Sequence, residues 1–517
     1  MSILTVSNVS HSFGGRDILE NVSFRLLAGE HVGLVGANGE GKSTFLNIIT
    51  GKLEPEAGKV EWCSRITTGY LDQHTVLQPG FSIKQVLEGA FSHLFALEKE
   101  MLDYYQKMCN CTESEMEQYL EEVGVIQDIL EHSGFYMIDA KISEVAGGLG
   151  LTEIGLDKDV SQLSGGQRTK VLLTKLLLEN PMILILDEPT NYLDEEHIKW
   201  LQGYLSNYDN AFILVSHDIE FLNSVVNIIY HVENCQLSRY VGDYQHFLEQ
   251  SALKKRQQEA AYHRQQKEID DLEDFIARNK ARVATRNMAH SRQKKLDKME
   301  RISKPKEKIK PIFEFTGDRT PGRLIFETKD LIIGYQEPLT APLNLTLNRN
   351  QKVAVKGVNG LGKTTLLKTL LNMIEPLQGK VEVDPYVSIG FFEQEDATSS
   401  KSALDDFWDE YPAYTNGEVR AALAKCGLTT DHIESAVCVL SGGEQAKVRL
   451  CKIMNRPCNV LVLDEPTNHL DVDAKEALKT ALKEYKGTVL LVSHDPSFYM
   501  DFIDEVWNLE AWTTKII

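Results

Sequence analysis

One eight-residue pattern occurs twice in the chain. Gly36-Ala37-Asn38-Gly39-Glu40-Gly41-Lys42-Ser43 is matched, 321 positions later, by Gly357-Val358-Asn359-Gly360-Leu361-Gly362-Lys363-Thr364. Each copy follows a short apolar run, His31 to Val35 or Lys352 to Val355, that reads as a buried strand. Each precedes a helix-like stretch, Thr44 to Ile49 or Thr365 to Leu371. Strand, glycine-rich turn and helix in that order point backbone N–H groups at a phosphate. The lysine then reaches the outer phosphate oxygens, and the hydroxyl residue is placed to ligate magnesium. Two such units in 517 residues, more than one core usually holds, predict two α/β domains of the phosphate-loop type.

The distances between further matched residues show how the copies differ. Gln73 and Gln394 keep the 321-residue offset, whereas Ser164 and Ser441, Asp187 and Asp464, and His217 and His494 are all 277 apart. The first copy therefore carries 44 extra residues between Gln73 and Ser164. Met182 to Glu188 and Val460 to Glu465 read as buried parallel strands that end in two adjacent carboxylates. The aspartate of each pair suits a magnesium ion, and the glutamate suits a general base acting on water.

These motifs resemble ATP-binding cassette ATPases over nearly the whole chain outside residues 248–320 and the insertion. The resemblance implies two ATP molecules and two magnesium ions held in composite sites between the halves. Ser164-Gly165-Gly166-Gln167 and Ser441-Gly442-Gly443-Glu444 become signature loops at helix N-termini, each serving the γ-phosphate bound by the opposite half. One site joins Lys42, Ser43, Gln73, Asp187, Glu188 and His217 to the loop at Ser441. The other joins Lys363, Thr364, Gln394, Asp464, Glu465 and His494 to the loop at Ser164. Ser43, Gln73 and Asp187, and Thr364, Gln394 and Asp464, are the implied metal ligands. His217 and His494 match the histidines that contact the γ-phosphate. Phe13 and Tyr335 match the adenine-stacking position, and a plain core role is their alternative. Thr44 and Thr365 complete the phosphate loops.

No apolar run reaches the roughly 20 residues of a membrane helix, and Met1 to Val6 has no secretory pattern, so the cytoplasm is the expected compartment. Eight scattered cysteines lack paired metal-binding spacing and read as reduced, mostly buried thiols. The net charge of −20 is uneven: residues 251–310 carry 18 Lys and Arg against 9 Asp and Glu. Apolar residues at Leu253, Ala260, Ile269, Leu272 and Ile276, then at Leu296, Met299 and Ile302, predict a helical hairpin, its first helix running from about Ser251 to Arg278. Its tip gathers Arg278, Lys280, Arg282, Arg286, Arg292, Lys294, Lys295 and Lys298, with Asp297 the one acid between Phe275 and Lys298. A solvated spacer is the bland reading. A one-signed tip in an acidic chain favours RNA or another polyanion.

The insertion has the opposite charge, with ten acids against Lys99 and Lys107 in residues 98–131. Leu94, Leu97, Met101, Tyr104 and Met108 suggest one amphipathic helix, and Met116, Tyr119, Leu120, Val123 and Leu130 another. Thr112 to Glu115 takes capping-box form between them. Such an arm is either a solvated decoration or a contact for a basic protein.

Tandem cassettes, an arm in the first and a basic hairpin between them resemble the ABC-F family of ribosome-associated ATPases. The organisation expected is a first cassette over 1–247 with its arm at about 91–134, a linker over 248–320 and a second cassette over 321–517. The resemblance implies a monomer that closes on itself around ATP and binds the ribosomal exit-tRNA site. Its linker then meets tRNA and rRNA near the peptidyl-transferase centre, and hydrolysis releases it. An antibiotic-resistance factor is the alternative within the family, and an ATPase recruited to a membrane transporter is the alternative outside it.

Overall fold

The computed structural model describes the chain except for residues 1, 14–15, 65, 72–76, 78, 110–111, 280–285, 300–309, 336, 359, 394–398, 469 and 514–517, and except for the side chains of 16, 113, 114, 192, 279, 286 and 289. Each half is built on a twisted, mainly parallel sheet. In the first half the strand order is Thr68–Tyr70, Ile183–Asp187, Ala211–Val215, His31–Val35, Ile228–Glu233, Gln236–Val241, and only the last pair is antiparallel. In the second half it is Ile389–Phe392, Val460–Asp464, Thr488–Val492, Lys352–Lys356, Glu505–Asn508, all parallel. A three-stranded antiparallel sheet accompanies each: Arg16–Leu27, Ser2–Phe13 and Ala57–Trp62, and Thr346–Asn348, Leu324–Ile332 and Gln378–Val383.

The parallel strands are apolar throughout because both faces are covered. Along Ile183–Asp187, Leu184 and Leu186 enter the core under the helices, while Ile183 and Ile185 enter the core under the antiparallel sheet. Ala211–Val215 alternates in the same way, Phe212 and Leu214 to one side and Ala211, Ile213 and Val215 to the other. Both phosphate-loop strands lie inside their sheets, so the loops open at the carboxyl edge, where ligands of open α/β sheets bind.

The inserted residues form a helical pair, Ser92–Met108 and Glu113–His132, the second capped by Thr112 and Glu115 in a reciprocal capping box. The apolar stripe on the second helix differs from the sequence expectation. Val123, Ile126 and Leu130 are buried, whereas Met116 and Leu120 are exposed, because only the C-terminal half of this helix lies over the cassette core. The cysteines also differ from expectation: Cys426, Cys451 and Cys458 are buried, Cys109 and Cys438 are exposed, and Cys111 lies outside the described residues.

The linker is a hairpin of Tyr244–Asn279 and Arg286–Asp297, closed by Ile269, Leu272, Ile276 and Leu296 with Met299 beside them. Its first helix begins seven residues before the expected start at Ser251. Asp243 accepts the His246 N–H at 2.8 Å, and Phe247 is buried against His231 and Tyr240, which roots the helix in the first cassette. Among the described residues no helix is long and apolar enough to cross a membrane.

Candidate nucleotide sites

Both phosphate loops depend on glycines in the left-handed region: Gly39 at φ 75° and Gly41 at 99°, Gly360 at 83° and Gly362 at 97°. A side chain at these positions would be strained, and on Gly41 it would also strike Ile18. The helices Lys42–Ile49 and Lys363–Leu370 start where the loops end. Lys42 Nζ folds back on the Gly36 and Ala37 carbonyls at 2.8 and 3.1 Å. Lys363 Nζ donates to the Gly357 carbonyl at 2.7 Å and to His494 Nε2 at 2.8 Å. Burial lowers the pKa of both lysines, against the nearby carboxylates that raise it.

The acidic pairs stand across from these lysines. Thr364 Oγ1 donates to Asp464 Oδ2 at 2.6 Å, and the other oxygen, Oδ1, is buried with no hydrogen-bond partner among the described residues. A hydroxyl beside an orphaned carboxylate oxygen fits a hard cation with oxygen ligands. In the first half the Ser43 side chain likewise hydrogen-bonds Asp187. Burial pushes Asp464 up to about 6, and it also raises Asp187. Glu188 is pushed up to about 8, by burial first and then by the charge of Asp187. Glu188 and Glu465 both sit at φ 49°, off the strand direction, held by N–H bonds to the Val215 and Val492 carbonyls at 2.9 and 3.0 Å.

The histidines differ between halves. His217 Nε2 is 3.0 Å from Asn38 Oδ1 and 3.5 Å from Glu188 Oε1. His494 Nε2 accepts from Lys363 and so has no proton for Glu465 Oε1, 3.0 Å away. That carboxylate oxygen is buried without a hydrogen-bond partner among the described residues. Phe13 and Tyr335 are 52% and 68% exposed, so neither is a core residue. Asn359, Gln73 and Gln394 lie outside the described residues.

Ser164 and Ser441 cap their helices in reciprocal boxes with Gln167 and Glu444. The structure brings the second signature loop to the first phosphate loop: Glu444 Oε1 lies 2.5 Å from where a Cβ on Gly39 would stand. On the other side, a Cβ on Gly165 or Gly360 would meet nothing within 4 Å among the described residues. The halves also face each other through charge, with Asp471 acting on Lys42 and Asp194 on Lys363.

Sequence reasoning missed a pair in each half. Lys170 Nζ reaches Asp194 at 3.4 Å and Lys447 Nζ reaches Asp471 at 3.0 Å, all four side chains nearly buried. Burial alone would raise Asp471, but the charge and hydrogen bond of Lys447 override it and hold the carboxyl below its ordinary range. The available signal was the offset, since both members recur 277 positions on.

On the linker, Arg278 is paired with Asp274 at 2.8 Å, Lys295 with Glu268 at 2.6 Å, and Arg292 stacks on Phe275 at 3.6 Å. The described tip is therefore less one-signed than its sequence suggests, because the first helix brings acids from one and nearly three turns before Arg278. Lys294 and Lys298 are exposed. Lys280, Arg282 and the Arg286 side chain lie outside the described residues.

Two phosphate loops, each with an acidic pair at the end of the neighbouring strand and a signature helix, define an ATP-binding cassette ATPase with tandem nucleotide domains. A family model described as ABC transporter matches residues 19–191 and 340–468, and another with the same description matches 230–315. The chain belongs to the ABC-F family. It is 64% identical, over the full length of both chains, to the uncharacterized ABC transporter ATP-binding protein YfmM of Bacillus subtilis strain 168. It is 35% identical to ABC transporter F family member 2 of Arabidopsis thaliana, over 97% of this chain and 75% of that protein. Among solved structures, the complex of archaeal ribosomal stalk protein aP1 with archaeal ribosome recycling factor aABCE1 shares the fold, with a TM-score of 0.56 and 21% identity over 97% of this chain and 87% of that one.

Proposed function

We propose that this ATPase closes its two cassettes around two Mg-ATP and, in that form, engages the ribosome from the cytoplasm as a monomer. The linker then reaches toward tRNA and rRNA near the peptidyl-transferase centre, and hydrolysis releases the protein. The observation that carries the closure is the meeting of Glu444 and Gly39, which are 405 residues apart in sequence. Support for the ribosome comes from the basic hairpin in an acidic chain and from the ribosomal factor that shares the fold.

In this reading Gly36 to Thr44 and Gly357 to Thr365 cradle the phosphates. Lys42 and Lys363 leave their carbonyl partners for phosphate oxygens. Ser43 with Asp187 and Thr364 with Asp464, joined by Gln73 and Gln394, hold magnesium, which supplies positive charge to the phosphate oxygens. Glu188 and Glu465 take the proton of the attacking water while the bond between the β- and γ-phosphates breaks. His217 and His494 contact the γ-phosphate, and Phe13 and Tyr335 offer exposed rings to adenine. Ser164 to Gln167 and Ser441 to Glu444 close on the γ-phosphate from the opposite half. Coupling requires the ribosome to prefer the closed form. The acidic arm suits a basic ribosomal protein.

The test is sedimentation of the Glu188→Gln, Glu465→Gln protein with purified ribosomes. Comigration only with ATP is the expected result. Absence from the ribosomal fractions with ATP present would refute the ribosomal role.

A further inference from the structure

The second half lends the first nucleotide site a pair of ionisable side chains that the second site lacks. Glu444 and His432 stand where the first half, 277 positions earlier, has Gln167 and Gly155. Glu444 is 6% exposed. Its Oε2 accepts the Ser441 N–H at 2.8 Å, which completes the helix cap. Its Oε1 points at the Gly39 turn and has no aligned hydrogen-bond partner among the described residues. His432 Nε2 lies 3.1 Å from that oxygen and 3.6 Å from the position of a Cβ on Gly39.

The tautomer of His432 follows from its other nitrogen. Nδ1 accepts the Thr429 N–H at 3.4 Å, so the ring proton is on Nε2, the atom that faces Glu444. A buried carboxylate at the mouth of a phosphate loop opposes an incoming polyanion unless a donor draws it aside. The second site has no such conflict, because its Gln167 is neutral.

We propose that His432 is a positioning residue of the first nucleotide site. When ATP enters, a small turn of the ring sets its Nε2–H on the free oxygen of Glu444, 3.1 Å away, and holds that oxygen off the phosphates, so that a signature loop with an acidic cap can close. This rests on the composite-site reading above.

The test is a double-mutant cycle in full-length Glu465→Gln protein, where hydrolysis is confined to the first site. His432→Gln keeps a capping-box residue over Thr429 but is a poorer donor at that reach. It is expected to raise KM for Mg-ATP about tenfold with kcat changed less than twofold. In the Glu444→Gln background the same substitution should change KM less than twofold, because the conflict is gone. An equal effect in both backgrounds, or a fall in kcat at constant KM, overturns the role of His432. Ser441→Arg separates the two ideas. Its loss of first-site hydrolysis beside an additive cycle would leave the composite site standing and remove only the histidine's role, while full first-site hydrolysis in Ser441→Arg would overturn both.

Discussion

Glu188 and Glu465 carry one backbone signature, a left-handed φ after a buried strand. Glu188 is raised from its ordinary 4.5 to about 8 and Asp464 from 3.8 to about 6. The folded chain therefore holds protons that the unfolded chain has already released. Stability of the nucleotide-free protein should fall as pH rises from about 5 to 8. We expect a Tm several degrees lower at pH 8 than at pH 6 and a shallower slope in Glu188→Gln; equal slopes would contradict this assignment. Lys447 and Asp471 form the tighter of the two missed pairs, and Lys447→Met should cost about 3 to 5 kcal/mol by leaving a buried carboxylate unpaired. Urea unfolding should show most of that loss recovered in Lys447→Met, Asp471→Asn, where the neutral amide keeps the helix cap on the Ala474 N–H. The glycines, lysines and acids of the proposed phosphate sites stand out in the sequence because their local order alone marks them. Lys170 with Asp194 was not, because each is an unremarkable residue until the fold sets a signature helix beside a loop 24 residues further on.

At the level of elements, the strands and the helix that each phosphate loop feeds follow from apolar runs and glycine placement, and they form as the sequence indicates. The arm shows what periodicity leaves out. Met116 and Leu120 fall on an apolar stripe but stay exposed, because a stripe says which face is apolar and not how far along it a partner extends. The Thr112 cap was legible and is present. Thr112→Ala should cost about 1 kcal/mol locally. Hydrogen exchange over 113–132 should quicken several-fold while ATP hydrolysis without ribosomes stays as it was. Unchanged exchange would mean that packing on the core, through Ile126 and Leu130, holds the arm by itself.

For the whole molecule, charge is distributed by element, and pairing in three dimensions decides which charges face a polyanion. Arg278 and Lys295 have acidic neighbours, whereas Lys294 and Lys298 are exposed. Lys294→Gln with Lys298→Gln should reduce the salt slope of RNA binding by about 1 to 2, and Arg278→Gln with Lys295→Gln should reduce it by less. Equal changes in filter-binding slopes would show that the ion pairs open on binding. The root of the linker has a mechanical meaning. Its first helix follows strand Gln236–Val241, which is bonded to Ile228–Glu233, which is bonded in turn to the strand that enters the first phosphate loop. Phe247 and the 2.9 Å pair of Lys255 with Glu233 clamp the helix to this edge. The 24 residues from Arg256 to Asn279 then form a lever arm of about 36 Å. A tilt of about 5° at the clamp sweeps its far end through roughly 3 Å, the length of a hydrogen bond, so a small rotation of the sheet behind the phosphate loop becomes a contact made or broken at the tip.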